Sequence, residues 1–440
     1  MANNEEFDDE IDRREYRHRR RVRNQIIAYA VLVVILAGLI AGGAIGVSRL
    51  VADMKDRKQA EELQKQLEEL SKSGEEQTIV EAPEESPEVL EETDYLDVIV
   101  NTSIAEMPLE DKVAGLFIVT PEALTDTDAV TRAGDTTKEK MRERAVGGLI
   151  YFSQNIQDAD QLTEMLSNTK SFSKYPIFLA VDEEGGSVSR VAESGLAENV
   201  GNMSDVGNSG DAARAQETGV TIGTYLSELG FNLDFAPVAD VVAEGNVTIG
   251  ERSFGSDTNL VAPMVAATVE GLQNTGVSAC LKHFPGLGDT TEDTHEGMAA
   301  TDKTLDDFTS VDFPVYQAGI EAGADLIMVS HLSAPNVTGD NTPASLSNKM
   351  ITEILRGQLG YQGVVITDAM NMTAITDYYT PDDAAVKALQ AGADMILMPE
   401  DFETAYNGVL EAVNNGTLTE ERIDESLRRI YRVKCKDKVE

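Results

Sequence analysis

Three of the four histidines, His283, His295 and His331, stand in polar segments that directly follow short apolar runs. Lys282 and His283 open Lys-His-Phe-Pro-Gly286, and a lysine at that point needs a partner or a ligand. In the Gly-bounded segment 286–297, Asp293 and His295 are two residues apart. A carboxylate beside one ring nitrogen orients an imidazole and raises its pKa. The other nitrogen can then give or take a proton. A solvent-exposed histidine in a polar loop has the same local sequence. Asp368 follows Val364-Val-Ile-Thr367 and by itself fits a nucleophile, a base, a metal ligand or the cap of the next helix. Asp182-Glu-Glu-Gly-Gly186 with Arg190 close behind, and Arg252 within Gly250-Glu-Arg-Ser-Phe-Gly255, add carboxylates and cations. Such a set suits a ligand rich in hydroxyl groups and needs no cofactor or metal.

These residues recur at one end of a repeated element. Apolar runs occur at Val113–Val119, Gly148–Phe152, Ile177–Val181, Asn232–Val238, Ala279–His283, Leu326–Ser330, Val364–Thr367 and Met395–Met398. Their apolar character is continuous rather than alternating, as in parallel strands buried on both faces. Amphipathic stretches such as Ala212–Leu229 and Asn259–Thr275 lie between them and read as helices. Ala322-Gly-Ala-Asp-Leu-Ile-Met-Val nearly repeats at Ala391-Gly-Ala-Asp-Met-Ile-Leu-Met, each a helix end, a glycine turn and a strand start. Eight strands alternating with helices predict an α/β fold, a (β/α)8 TIM-type barrel whose chemistry sits at the C-terminal ends of the strands. A doubly wound open sheet would want a Gly-rich phosphate loop, and the chain has neither GxGxxG nor a P-loop.

The barrel is preceded by segments of different composition. Residues 24–48 carry no charge and are long enough to cross a bilayer, which takes about 20 apolar residues. Arg13, Arg14, Arg17, Arg19, Arg20, Arg21 and Arg23 come before them, so the N-terminus is expected in the cytoplasm and the rest outside. A cleaved signal peptide would have a shorter apolar region, of about 7–15 residues. From Ser73 to Asp111 there is no Lys or Arg, while glutamates accumulate around Pro83 and Pro87, which predicts an extended stalk. The expected organisation is a basic cytoplasmic segment (1–23), a transmembrane helix (24–48), a helical then acidic stalk (49–97) and the barrel domain (98–440). That makes a single-pass cell-membrane protein with its barrel outside the cytoplasm. A net charge of −41 and a pI of about 4.3 argue against nucleic-acid binding. The two cysteines, Cys280 and Cys435, form no zinc or redox spacing.

Lys282-His-Phe-Pro-Gly286 followed by Asp293-Thr-His295 resembles glycoside hydrolase family 3, in its single-domain β-N-acetylhexosaminidase branch. Asp182-Glu-Glu-Gly-Gly with Arg190, Arg252-Ser-Phe-Gly and Thr367-Asp-Ala-Met-Asn-Met fit the same family, in its order, from about Val98 to Arg432. The resemblance implies that Asp368 is the nucleophile of a retaining glycosidase. It implies that His295 is the acid/base, paired with Asp293, in place of the usual second carboxyl. It implies that Asp182, Arg190, Arg252, Lys282 and His283 hold a terminal N-acetylglucosamine, often from peptidoglycan fragments. Two positions depart from many relatives, Ser187 for Arg and Leu287 for His, and both bear on aglycone preference. Alternatives on the same site are a β-glucosidase, a β-N-acetylglucosaminide phosphorylase or a non-catalytic glycan-binding barrel. A metal-dependent barrel hydrolase would want a His-x-His after an early strand, and Val119-Thr-Pro121 has none.

Overall fold

The computed structural model describes residues 92–243, 246, 248–290, 297 and 299–436. The uncharged run 24–48, the stalk to residue 91 and the Asp293–His295 pair lie outside the described residues, whereas the end of the stretch expected to be extended is a helix, Glu92–Ala105. Among the described residues no helix is long and apolar enough to cross a membrane.

Eight parallel strands close into a barrel: β1 (Phe117–Val119), β2 (Gly148–Ile150), β3 (Phe178–Val181), β4 (Leu233–Asp234), β5 (Ser278–Phe284), β6 (Leu326–Val329), β7 (Val364–Ala369) and β8 (Met395–Leu397). Each strand pairs with the next in sequence, and β8 returns to β1 with Phe117 opposite Ile396. Nearly every strand residue is buried, because side chains on one face fill the barrel and those on the other meet the helices. The continuous apolar runs have this origin.

Two strands differ from the sequence expectation by more than two residues. The run Val113–Val119 holds the end of a helix, Leu109–Ala114, before β1 begins at Phe117. Pro108 stands at the N-cap, with Glu110 and Asp111 in the first turn. Val113 and Ala114 are as buried as the strand, so hydrophobicity cannot separate the two elements. The run Asn232–Val238 is regular strand only over Leu233–Asp234. Pro237 has no N–H for a ladder, although the Ala236 and Pro237 carbonyls still accept from Cys280 and Lys282.

The helices follow their local signals. The predicted helix Ala212–Leu229 forms over those residues, with the Asp211 carboxylate accepting from the Ala213 N–H at its start and Gly230, at φ 107°, closing it. In the repeated Ala-Gly-Ala-Asp segments Gly323 (φ 85°) and Gly392 (φ 114°) turn the chain from helix into β6 and β8. Cys280 and Cys435 are both buried, Cys435 at the end of the last helix, Glu420–Cys435.

The N-terminal end of the barrel is locked by one carboxylate. Asp394, immediately before β8, is fully buried and pairs with Arg356 and, at 3.0 Å, with Arg429. It also accepts from Ser426 Oγ at 2.8 Å and from the Val365 N–H at 2.9 Å, so β7, β8 and the last helix meet on it. Removing one partner of a buried pair costs about 3–5 kcal/mol, because the other charges lose their compensation. Asp394→Ala is therefore expected to lose about that much stability in urea unfolding while the pocket at the other end keeps its geometry.

Candidate active site

Side chains at the C-terminal ends of β2 to β8 enclose a cavity of about 350 Å³. Its wall carries Asp182, Glu184, Arg190, Arg252, Lys282, His283 and Asp368, with Ile150, Phe152, Leu397 and Met398 supplying apolar surface. The structure thus brings together Asp182, Arg190, Arg252, Lys282, His283 and Asp368, residues singled out from sequence and drawn from four different strand ends, those of β3, β4, β5 and β7. Of the two departures from the family pattern, Leu287 lines the cavity and Ser187 is exposed outside its lining.

After β3 the chain forms a small antiparallel hairpin, Glu183–Gly185 with Val188–Ser189. Extended backbone sends successive side chains to opposite sides, and three adjacent carboxylates meet three fates. Asp182 and Glu184 face the cavity. Glu183 turns away and accepts from the Val191 and Ala192 N–H groups, at 2.7 and 3.0 Å, and from the Tyr225 hydroxyl at 2.9 Å. The Lys282 ammonium lies 2.6 Å from both Asp182 Oδ1 and Glu184 Oε1. Arg252 grips Glu184 with two parallel bonds of 2.8 and 2.7 Å, the bidentate geometry that suits guanidinium and carboxylate. Burial alone would raise the Glu184 pKa, but the charges of Lys282 and Arg252 outweigh it and hold the carboxyl down to about 2. For Lys282, burial works against the charge, and Asp182 with Glu184 overcomes it and raises the ammonium above its ordinary value. Glu184, Lys282 and Arg252 are therefore all ionised at neutral pH.

Lys282 and His283 are joined by a cis peptide, and the imidazole is fixed from behind. His283 Nδ1 lies 2.7 Å from Asp240 Oδ2, and Asp240 Oδ1 accepts from the Leu287 N–H at 2.7 Å. A carboxylate on Nδ1 makes that nitrogen the donor. Asp240 is fully buried and was not singled out from sequence; 43 residues separate it from His283.

Asp368 is the penultimate residue of β7, with Oδ1 accepting from the Ala369 N–H at 2.8 Å. Burial pushes its carboxyl upward, and the His283 and His331 imidazoles, the Ala369 N–H and Lys282 more than offset that, so its pKa lies below the usual value. His331 is fully buried beside it, Nε2 against the Ala369 carbonyl at 2.9 Å and Nδ1 against Ser345 Oγ at 2.8 Å. A carbonyl only accepts, so Nε2 carries the proton. Arg190 lies over the Phe152 ring at 5.8 Å and, among the described residues, forms no ion pair. Its Nε is buried and has no hydrogen-bond partner, which leaves its charge for a ligand.

The arrangement offers an ionised carboxylate at a strand end, in a cavity where Lys282 and Arg252 already have their counterions and Arg190 has none among the described residues. Fold and site together define a (β/α)8 barrel with a small, polar, partly enclosed pocket at its C-terminal mouth. Residues 108–433 match the family described as Glycosyl hydrolase family 3 N terminal domain, and the chain belongs to glycosyl hydrolase family 3. It is 33% identical over 338 residues to Beta-hexosaminidase A of Pseudoalteromonas piscicida, a match covering 70% of this chain and 56% of that protein. It is 34% identical over 279 residues to Beta-hexosaminidase of Stenotrophomonas maltophilia (strain R551-3), covering 62% of this chain and 82% of that one. A glycoside hydrolase family 3 beta-N-acetylglucosaminidase from Paenibacillus sp. str. FPU-7 superposes with a TM-score of 0.70 at 35% identity, over 76% of this chain and 63% of the other. The chain thus spans little more than half the length of the first of these relatives.

The depressed Glu184 pKa has a consequence for stability. An unfolded glutamate titrates near about 4.3, and the folded group does so at about 2. Because the folded value is the lower one, the stabilisation is complete above the unfolded pKa and is lost as pH falls through the folded one. Glu184→Gln is expected to lower the thermal midpoint by a constant amount from pH 8 to about 5, with the difference shrinking between about 4.3 and 2. Melting curves of both proteins across that range check it.

Proposed function

We propose that the barrel is a retaining β-N-acetylhexosaminidase that releases terminal N-acetylglucosamine from glycans or peptidoglycan fragments. The observation that carries this reading is the Asp368 carboxylate, held ionised in one cavity with Asp182, Arg190, Arg252, Lys282 and His283. The family membership and the beta-hexosaminidase relatives support it.

In the proposed reaction Asp368 attacks the anomeric carbon while His295, oriented by Asp293, protonates the departing glycosidic oxygen. The glycosyl ester that forms is opened when His295 takes a proton from water, which adds from the side the aglycone left, and Asp368 is regenerated. Two inversions give net retention. Lys282, Arg252, Asp182 and Arg190 hold the ring hydroxyls. The apolar surface of Ile150, Phe152, Leu397 and Met398 covers the less polar parts of the sugar. As part of the same proposal, residues 24–48 anchor the protein in the cell membrane and the barrel works outside the cytoplasm. The uncharged run and the arginines before it support this.

The test is turnover of chromogenic β-N-acetylglucosaminide and β-glucoside substrates, with and without inorganic phosphate. The proposal expects N-acetylglucosaminide to be preferred, free N-acetylglucosamine rather than its phosphate as product, and a loss of about 10³–10⁶-fold in kcat for Asp368→Asn. Undiminished turnover by that variant removes Asp368 from the chemistry. A preference for glucoside, or a sugar phosphate as product, replaces the substrate or the acceptor in the proposal.

A further inference from the structure

Sugar-holding and proton-transfer groups come from two different loops in this reading. Arg252 lies on the loop after β4, and His295 lies beyond Gly286 on the loop after β5. One buried side chain joins the roots of both. Asn246 is 7% exposed, and its Nδ2 donates to the Leu287 carbonyl at 3.0 Å and to the Thr290 carbonyl at 2.8 Å. Its Oδ1 accepts from the Ile249 N–H at 2.8 Å. Both donors and the acceptor of the amide are used, and each bond goes to backbone.

The two backbones also touch beside it. The Ala243 N–H donates to the Gly288 carbonyl at 2.7 Å, and a Cβ on Gly288 would stand 1.8 Å from the Val241 carbonyl oxygen. Ile249 and Leu287, the residues that Asn246 ties together, both line the cavity. We infer that Asn246 is a positioning residue for proton transfer: it fixes Leu287 and Thr290, the root from which the chain continues to Asp293 and His295, against the loop that presents Arg252. A displacement of about 1 Å in a catalytic group costs on the order of 10²-fold in rate. The inference rests on the reading of His295 as acid/base.

Asn246→Asp separates the two halves of the clamp. An ionised carboxylate still accepts from Ile249, but it turns both donors into acceptors facing carbonyl oxygens. A series of β-N-acetylglucosaminides with leaving groups of different acidity reads the result as kcat/KM. A dinitrophenyl leaving group departs without protonation and an alkyl one does not. The expected outcome is a loss of about 10²-fold on the alkyl glycoside and less than about 3-fold on the dinitrophenyl glycoside, with unchanged N-acetylglucosamine affinity. An equal loss on both substrates, or none on either, overturns the inference. Asn246→Ala, which introduces no charge but also gives up the Ile249 bond, must still lose more on the alkyl glycoside than on the dinitrophenyl one if Asp at that depth destabilises the fold. His295→Ala is the control for the underlying reading. If it shows no leaving-group split, the acid/base assignment fails whatever Asn246 does. If it shows the split and both Asn246 variants do not, only the positioning role fails.

Discussion

Lys282 and Arg252 share one buried carboxylate, that of Glu184. An uncompensated charge at that depth costs several kcal/mol, so the backbone must deliver each partner to hydrogen-bonding distance. The hairpin after β3, the end of β5 and the loop that carries Arg252 must therefore meet at fixed distances. Asp182 is placed by the same ammonium, and His283 follows Lys282 in the chain. The cavity wall owes its shape to that junction more than to any single apolar contact.

The sequence made the barrel legible because its strands are buried on both faces. Continuous apolar runs ending in Asp, Lys or His marked the strands and also the end that carries polar groups. The same cause hid the boundary at Val113–Val119, where a buried helix end and a buried strand have one composition. Pocket residues that stand at strand ends, Asp182, Lys282, His283 and Asp368, were legible by position. Arg190 and Arg252 lie on loops and were legible as cations among glycine and acid.

What escaped was pairing across the fold. Asp240 is a buried aspartate in an apolar context, and nothing local says that it holds His283. Asn246 follows a glycine, in a composition typical of a turn, and its three bonds run to residues up to 44 positions away. Glu184 is different, because a signal existed: in an extended segment residues 182 and 184 share a side and 183 does not. Reading Asp-Glu-Glu with a period of two assigns the second glutamate to the pocket and the first to the helix beyond it.

The two ends of the barrel show how one chemistry serves two purposes. At the N-terminal end Arg356 and Arg429 converge on Asp394 together with a hydroxyl and a backbone N–H, and the cluster is closed by protein groups. At the C-terminal end the described lining holds three carboxylates, Asp182, Glu184 and Asp368, and three cations, Arg190, Arg252 and Lys282. Formal charge balances there within a chain that carries −41 overall. The distribution within the balance matters: Glu184 is doubly paired, whereas Arg190 forms no ion pair among the described residues. A neutral polyhydroxyl ligand can accept from Arg190 and donate to Asp182 without disturbing the buried pairs. The charges of the described lining thus leave hydrogen-bonding capacity for an uncharged ligand without breaking a buried pair.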